Sequence, residues 1–496
     1  MNLRALLIPT IILMAFAAWM TLGSASSLFE TSSYREVSAE EVMAEANGSS
    51  VSYDGVLIVG DLYLDADQHA SIRITNSGFL GNVSCKGTTF YSSVNLENST
   101  FYRNAIFNGS KFAVEANFNN SRFFGDAIFN TSRFLEGVTF DFVDFYGVAD
   151  FSTSQFDAFS TFYNATFNKD ALFSFSEFNG AYANFESSLF FGFADFAGCR
   201  FNSYGTFACS LFEDMADFHA TRYSSGGSFS GSQFLGSANF DRSHFVEDSF
   251  FNQIQFNDTA SFLNAKFDGP ASFSDSKFYR DADFDKAQFL ASTDMSNVVF
   301  LGNIMMNNTK IARMVLDGST FMATSILYLA NADISRMMVD WSQIRNIISF
   351  DNSAYLALIK NYKDLGRSND ANDCYYEYRY LNQGRKSLGF SKLLDVVAWL
   401  TCGYGVRPNY TLLCGAVVIL LFSIVYLTGR GVEGFSNIHG LELFVGSLYY
   451  STIAFTANSK GLPLRGRYKY LGIAEGIVGW LLMALFLVTL GRVIIG

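Results

Sequence analysis

Phe recurs through the middle of this chain at a fixed spacing. From Phe101 the series runs Phe107, Phe112, Phe118, Phe123, Phe129, Phe134, Phe140, Phe145, Phe151 and Phe156, in steps that alternate between six and five residues. It continues through Phe162, Phe167, Phe173 and Phe178, takes one extra residue before Phe185, and resumes to Phe289 with Tyr223 in one slot. Met295, Phe300, Met306 and Ile311 carry it forward, and Leu96, Phe90, Cys85 and Phe79 carry it backward. A second rule accompanies the first. The residue two before each Phe is usually small, as in Ala149, Ser154, Ala238 and Ser243, and the one between is polar in Asp150, Gln155, Asn239 and His244. Residues two apart on a strand share a face. The small residue and the Phe therefore point inward and the polar one outward. Asn, Gly, Asp or Ser follow the Phe and suit a turn.

Helical faces recur at three and four residues, and simple strands run without regular corners. Short strands between regular corners predict a solenoid, in which each coil hydrogen-bonds to the next and the Phe rings stack in columns. Four faces make a coil of about 22 residues, so Phe79 to Phe321 predicts about 11 coils and a rod of roughly 53 Å at about 4.8 Å per coil. Open solenoid ends expose strand edges and need covering. With its end caps the solenoid is placed at 50–350, with Val51 to Leu64 as the opening cap and 321–350 as closing coils.

Other segments carry different patterns. Residues 5–23 are uncharged, follow Arg4 and precede Ser24, Ala25 and Ser26. The stretch 1–26 reads as a signal peptide or signal anchor, which predicts export of the solenoid segment downstream. In 353–386, Ala354 to Leu365 has helical spacing, Gly366 is a stop, and Ser368 or Asn369 is the expected cap of a second helix. That helix carries Ala371, Cys374, Tyr375, Tyr378 and Leu381 on one face. Together they predict a helical hairpin, with the tyrosines and Cys374 as packing residues. Residues 388–404, with Lys392 and Asp395, predict an amphipathic helix in a membrane interface. Thr411–Thr428 and Leu471–Gly491 are long enough to span a bilayer, the second with Glu475 as its one charge, so 409–496 reads as a two-span module.

Composition narrows the functional classes. A chain of 496 residues exceeds one compact core. A net charge of −12 disfavours a nucleic-acid-binding surface, which needs clustered Lys and Arg. The 6 cysteines are scattered without a CxxC pair, which disfavours both a disulfide scaffold and a zinc site. No phosphate loop or nucleophile elbow is present, so no catalytic, cofactor or metal site is expected. His69, His219, His244 and His439 lie far apart. Asp150, Asp195, Asp217 and Asp283 take equivalent outward slots, as a cation-binding ladder or as a solvated face. Asn-x-Ser/Thr occurs at Asn47, Asn82, Asn98, Asn108, Asn119, Asn130, Asn164, Asn257, Asn307 and Asn409. These are glycan acceptors on an exported surface, or corner Asn residues followed by an inward hydroxyl of the repeat.

The chain carries two resemblances. Units such as ANFDRSHF (238–245) and ASFSDSKF (271–278) resemble pentapeptide-repeat proteins in their Phe-centred five-plus-six form. The resemblance implies an all-β, right-handed parallel β-helix with four sides, here joined to the helical hairpin and C-terminal transmembrane helices. The segment 409–496 resembles the two-span potassium-channel module through SLYYSTIAFT (447–456), Pro463, Glu475, Gly479 and Leu490-Gly491-Arg492. That resemblance implies an outer span, a pore helix, a filter loop and an inner span around a shared pore, with loop carbonyls replacing the ion's water. The loop here reads Thr456, Ala457, Asn458, Ser459, Lys460, Gly461. It lacks the GYGD core and sets a positive charge by a cation path.

The expectation is a non-enzymatic, membrane-anchored protein of the cell membrane. Its solenoid is an exported interaction or envelope surface, and its channel-like module lacks selective conduction. The alternative is an ion channel regulated by the solenoid. Expected partners are the lipid bilayer, a second copy through the membrane module, and an unidentified protein or envelope component, with no nucleic acid. Export of the solenoid sets the loop from Gly429 to Lys469 inside, where Arg430, Lys460, Arg465, Arg467 and Lys469 suit it. A channel of the resembled family needs the reverse orientation.

Overall fold

A computed structural model describes residues 34–64, 66–433, 440–456 and 464–495. The signal segment expected at 1–26 lies outside them. The chain divides after Asp170 into two compact units, which together carry about 14 turns of parallel β-solenoid.

In the first unit, past its opening strands, a coil crosses four faces with one two-residue strand apiece, as in Thr100–Phe101, Ala105–Ile106, Lys111–Phe112 and Ala116–Asn117. Each strand pairs in parallel with the residue 22 positions on: Phe101 with Phe123, Ala105 with Ala127, Phe112 with Phe134, Ala116 with Val138. The amide of Lys111 reaches the Thr88 carbonyl at 2.9 Å, and that of Phe107 reaches Ile128 at 2.7 Å. The buried Phe rings stack along each face, Phe101 on Phe123 at 4.4 Å and Phe118 on Phe140 at 4.7 Å. Columns on different faces meet edge to face, as Phe118 and Phe129 do at 5.4 Å and 85°. Both arrangements suit the ring quadrupole.

The alternation of five and six has a backbone cause. Every five-residue link of this array holds one left-handed residue: Asn98, Gly109, Asn120, Thr131, Phe142, Thr153 or Asn164. The six-residue links turn without one. A β-branched Thr or bulky Phe in that conformation is uncommon, and here the ladder on both sides holds it.

The opening of this unit differs from expectation. Val51 to Leu64 forms strands Val51–Asp54, Val56–Val59 and Leu62–Tyr63, which pair onward with Ile72, Gly78 and Val83 as a first coil. The cover lies upstream. Strand Arg35–Ser38 pairs with Val56–Val59, and helix α1 (Ala39–Ala46) buries Ala39, Val42 and Ala46. The Ser38 hydroxyl caps α1 by accepting the Glu41 amide at 3.1 Å.

The second unit begins with the same coil. Its extra residue falls before Phe185, where Tyr182–Asn184 forms a three-residue strand paired with Tyr204–Thr206. Tyr223 lies between Phe201 at 4.7 Å and Phe245 at 4.8 Å. The last strands are Leu327–Tyr328, Asp333–Ile334 and Met337–Met338. Helix α2 (Trp341–Ile344) comes next in the chain, with Trp341 and Ile344 buried.

Helices α3 (Asn352–Asp364) and α4 (Ser368–Arg385) pack as a hairpin around Gly366, whose φ of 69° ends the first helix. Asp351 caps α3 by accepting the amides of Ser353 at 2.9 Å and Ala354 at 3.1 Å. Ser368 is already helical and Arg367 precedes it, so neither Ser368 nor Asn369 acts as the expected cap. Asn361 of α3 is fully buried and bonds both the amide of Met337 (2.8 Å) and its carbonyl (2.9 Å). The hairpin thereby satisfies the open edge of the last coil, which would otherwise be unpaired backbone. Helices α5 (Phe390–Cys402), α6 (Pro408–Thr428), α7 (Leu441–Phe455) and α8 (Tyr468–Ile495) complete the unit. Helices α6 and α8 are long and apolar enough to cross a membrane.

Candidate functional site

The site is built where α4 meets α5, α6 and α8, with α7 set between α6 and α8. Helix α5 turns its polar side inward and its apolar side out. Asp395 is 7% exposed, held by Arg379 at 2.8 Å and Lys386 at 2.5 Å. Arg379 belongs to α4 and Lys386 ends it. The Lys386 ammonium, with the Arg379 guanidinium, holds the Asp395 carboxyl below the usual carboxylate range. Phe390, Leu393, Leu394, Val397 and Leu400 are exposed on the opposite side.

The tyrosine-rich face of α4 forms a collar around the helix ends. Trp399 donates to the Tyr376 hydroxyl at 2.9 Å, and Arg379 donates to the Tyr375 hydroxyl at 2.9 Å. Arg407, just before α6, pairs with Asp373 at 2.7 Å and lies over the Tyr376 ring at 5.0 Å. Arg492, near the end of α8, lies over the Tyr375 ring at 4.9 Å. The start of α6 and the end of α8 therefore meet the collar on one side. Cys374 is buried in the hairpin, and burial pushes its thiol up, away from a reactive thiolate.

Helix α7 is a half-length element set between the two long helices. Leu443 near its start packs with Tyr426, Val432 and Leu464 at the far end of α6. Its last residue, Phe455, lies against Gly415 in the near half of α6 and against Gly479 of α8. A Cβ on Gly479 would come within 2.0 Å of the Phe455 carbonyl oxygen. Beyond Thr456, the next described residue, Leu464, bridges to Val432 at the far end again. Helix α7 thus runs from the far side toward the middle, and the chain is back on the far side by Leu464.

Glu475 of α8 lies at the centre of this packing and is fully buried. The Tyr426 hydroxyl of α6 donates to one carboxylate oxygen at 2.8 Å, and the Ser451 hydroxyl of α7 donates to the other. Ser451 also reaches the Ile419 carbonyl of α6 at 2.8 Å. One carboxylate therefore joins three helices. In the sequence Glu475 is only a lone charge and a point of resemblance. Its partners lie 49 and 24 residues away, and no local spacing marks them.

Of the expected filter loop, Thr456 is described, as the residue that follows α7 and caps its end. Ala457, Asn458, Ser459, Lys460 and Gly461 lie outside the described residues.

On the solenoid, Asp150, Asp195, Asp217 and Asp283 each accept a backbone amide two residues on, at 2.8–3.0 Å. They are turn-forming side chains, which explains their recurrence. Asp195 and Asp217 are register partners, and burial raises the Asp217 carboxyl. His244 contacts Arg222 and Asp268, each at 2.7 Å, while His69 stacks on Tyr91 at 4.7 Å. Among the described residues no group of three or more His, Cys, Asp or Glu side chains is placed to hold a metal ion.

The inward hydroxyls form their own ladder. Ser121 donates to the Leu96 carbonyl at 2.8 Å and accepts the Ser99 amide at 3.1 Å. Ser132, Ser154, Ser210, Ser232, Ser276 and Thr309 make the same bond to the carbonyl 25 residues earlier. A profile of pentapeptide repeats, 9 copies, matches residues 86–133 and 251–299. Over those residues the solenoid is built of pentapeptide repeats. The small slot of the repeat is thus a hydrogen-bonding position as well as a steric one. The match lies wholly within the repeat, and the channel-like resemblance of 409–496 finds no counterpart in it. No curated protein and no solved structure matches the chain.

Proposed function

We propose that the chain is a non-enzymatic, membrane-anchored scaffold whose pentapeptide-repeat solenoid is an exported interaction surface. The reversed polarity of α5 carries this reading. Its carboxylate is clamped inward and its leucines face out. Leu420, Leu421 and Ile424 of α6, and Ile477, Leu481 and Leu487 of α8, are exposed as well. Exposed apolar surface on this scale needs a non-aqueous partner, and the lengths of α6 and α8 fit a bilayer. The collar of α4 then lies at the membrane surface on the side of the closing coils, and residues 429–433 and 464–469 on the other. Arg430, Arg465, Arg467 and Lys469 there suit a cytoplasmic side. Carbonate washing of membranes followed by protease treatment of intact cells tests both parts. Release by carbonate rejects the anchor, and a solenoid that only permeabilised cells allow to be digested rejects export.

A second reading has one observation in its favour. A half-length helix that re-enters between two spans is the arrangement that lines ion pathways. In that reading the module is an ion channel regulated by the solenoid, with copies of the chain surrounding the path. The purified full chain in planar bilayers separates the two readings. Steady, ion-selective single-channel steps favour the channel, and silent bilayers the scaffold.

A further inference from the structure

We infer that the fold selects two of the ten Asn-x-Ser/Thr tripeptides, Asn47-Gly48-Ser49 and Asn257-Asp258-Thr259, as the sites of N-linked glycosylation on the folded chain. A glycan-transferring enzyme must grip the asparagine amide and the hydroxyl two residues on. A tripeptide qualifies only when all three residues stand clear of the core. In Asn47-Gly48-Ser49, just after α1, all three are exposed. A side chain on Gly48 would meet nothing within 4 Å. The Ser49 hydroxyl donates to the Glu45 carbonyl at 3.2 Å, a bond at the exposed end of α1 that water can replace. In Asn257-Asp258-Thr259 all three are likewise exposed, on the bend between strands Gln255–Phe256 and Ala260–Ser261.

The other eight thread through the solenoid wall or a helix. In Asn108-Gly109-Ser110, Asn119-Asn120-Ser121, Asn130-Thr131-Ser132 and Asn307-Asn308-Thr309 the hydroxyl residue is buried. Each of those hydroxyls donates to a carbonyl of the preceding coil. Asn82-Val83-Ser84, Asn98-Ser99-Thr100 and Asn164-Ala165-Thr166 bury their central residue. Asn409-Tyr410-Thr411 lies in the first turn of α6 with Thr411 buried. Several of these asparagines are also engaged. Asn98 Nδ2 donates to Asn76 at 2.6 Å and Asn130 Nδ2 to Asp150 at 2.9 Å. Asn119 Oδ1 accepts the Asp141 amide at 2.8 Å.

The donor is an oligosaccharide carried on a polyprenyl diphosphate. The asparagine Nδ2 attacks C1 of the first sugar, and the bond from C1 to the diphosphate oxygen breaks. The diphosphate leaves with the electron pair, and the amide nitrogen loses one proton to the enzyme's base. Occurrence in the cell rests on export of the solenoid. The selection is a property of the fold alone and is testable apart from export.

The test uses the full chain, purified in detergent, with an oligosaccharyltransferase that accepts folded substrates and a lipid-linked oligosaccharide. Glycopeptide mass spectrometry reads occupancy at each asparagine. The expected result is glycan at Asn47 and Asn257, and at least a tenfold lower occupancy elsewhere. N47Q and N257Q each remove one glycan, and the double variant removes both. The same chain presented unfolded in urea and then diluted into the reaction gains glycan at Asn108, Asn119, Asn130 and Asn307. Occupancy of those four in the folded chain, or bare Asn47 and Asn257 in it, overturns the inference. Protease protection of the solenoid in intact cells overturns export instead and leaves the in vitro result standing.

Discussion

Tyr426 and Glu475 meet at 2.8 Å between α6 and α8, with the phenol donating to the carboxylate. Ser451 completes the contact from α7. Removing either donor leaves one oxygen of a fully buried carboxylate without its partner. Y426F and S451A are each expected to cost roughly 1 to 3 kcal/mol, the penalty for leaving a buried polar group without its partner. The two share one acceptor group, so the double variant departs from the sum of the singles. Thermal unfolding of the detergent-solubilised chain measures both effects, and strict additivity would show that the three side chains do not act as one contact.

Tyr223 is the one Tyr in the stacked Phe series. Its ring fits the column, but its hydroxyl is buried and has no hydrogen-bond partner. Y223F is expected to be neutral or to stabilise by about 1 kcal/mol, because an unmade buried bond carries a desolvation penalty. Gly227 lies in the small slot of the adjoining face, and a Cβ there would fall 2.8 Å from Tyr223 Cδ1. G227A is expected to cost roughly 1 to 3 kcal/mol by overpacking. A Phe ring also carries Cδ1, so that cost persists in the Y223F background. Urea unfolding of the two single variants and the double variant checks this. A G227A cost that vanishes in the Y223F background places the clash at the hydroxyl instead.

Ser232 donates to the Phe207 carbonyl at 2.6 Å and accepts the Ser210 amide at 3.2 Å. S232A keeps the inward volume and deletes both bonds, for a loss of about 1 kcal/mol. Hydrogen exchange at the Ser210 amide is expected to rise. Unchanged exchange there would reduce the small slot to a steric requirement.

The clamp on Asp395 gives a pH dependence with a definite sign. Its carboxyl is held below its ordinary value by Lys386 and Arg379. The stabilisation is complete above the unfolded-state pKa and is lost as pH falls through the lower folded-state value. Trp399 lies one turn on in α5, so its fluorescence reports the joint. The joint is expected to hold at neutral pH and to loosen only in acid below the ordinary carboxylate range. D395N is expected to cost roughly 2 kcal/mol, as a lost charged hydrogen bond, and to flatten the profile. An acid transition that survives in D395N belongs to another carboxylate.

Replacing a stacked ring tests the column itself. Phe129 is fully buried and contacts Phe107, Phe118, Phe140 and Phe151. F129A is expected to cost roughly 3 to 5 kcal/mol through transfer and cavity terms, read by urea unfolding of the full chain.

Much of the solenoid was legible because its code is local. Phe, a small residue two before it and a turn residue after it repeat within each face, and any few coils carry the rule. The two kinds of corner were less legible. Thr131 and Phe142 do not announce a left-handed backbone, and the neighbouring coils impose it. The cover α1 was not legible because Ala39–Ala46 is short and only the pairing of Arg35–Ser38 with Val56–Val59 makes it a lid. The four Asp slots recurred in the sequence as a solvated face or a cation ladder, and what their spacing did not announce is that each side chain closes its own turn.

The order of residues alone determined the coil period, the inward Phe columns, the hairpin and the two long apolar segments, since each depends on contacts or hydropathy over one repeat or one helix. Tertiary structure decided which hydroxyls disappear into the wall, where α7 ends, and what surrounds Glu475. Those outcomes depend on groups tens of residues apart meeting in a water-excluded interior, where an unpaired polar atom is costly and partners must be found by the whole fold.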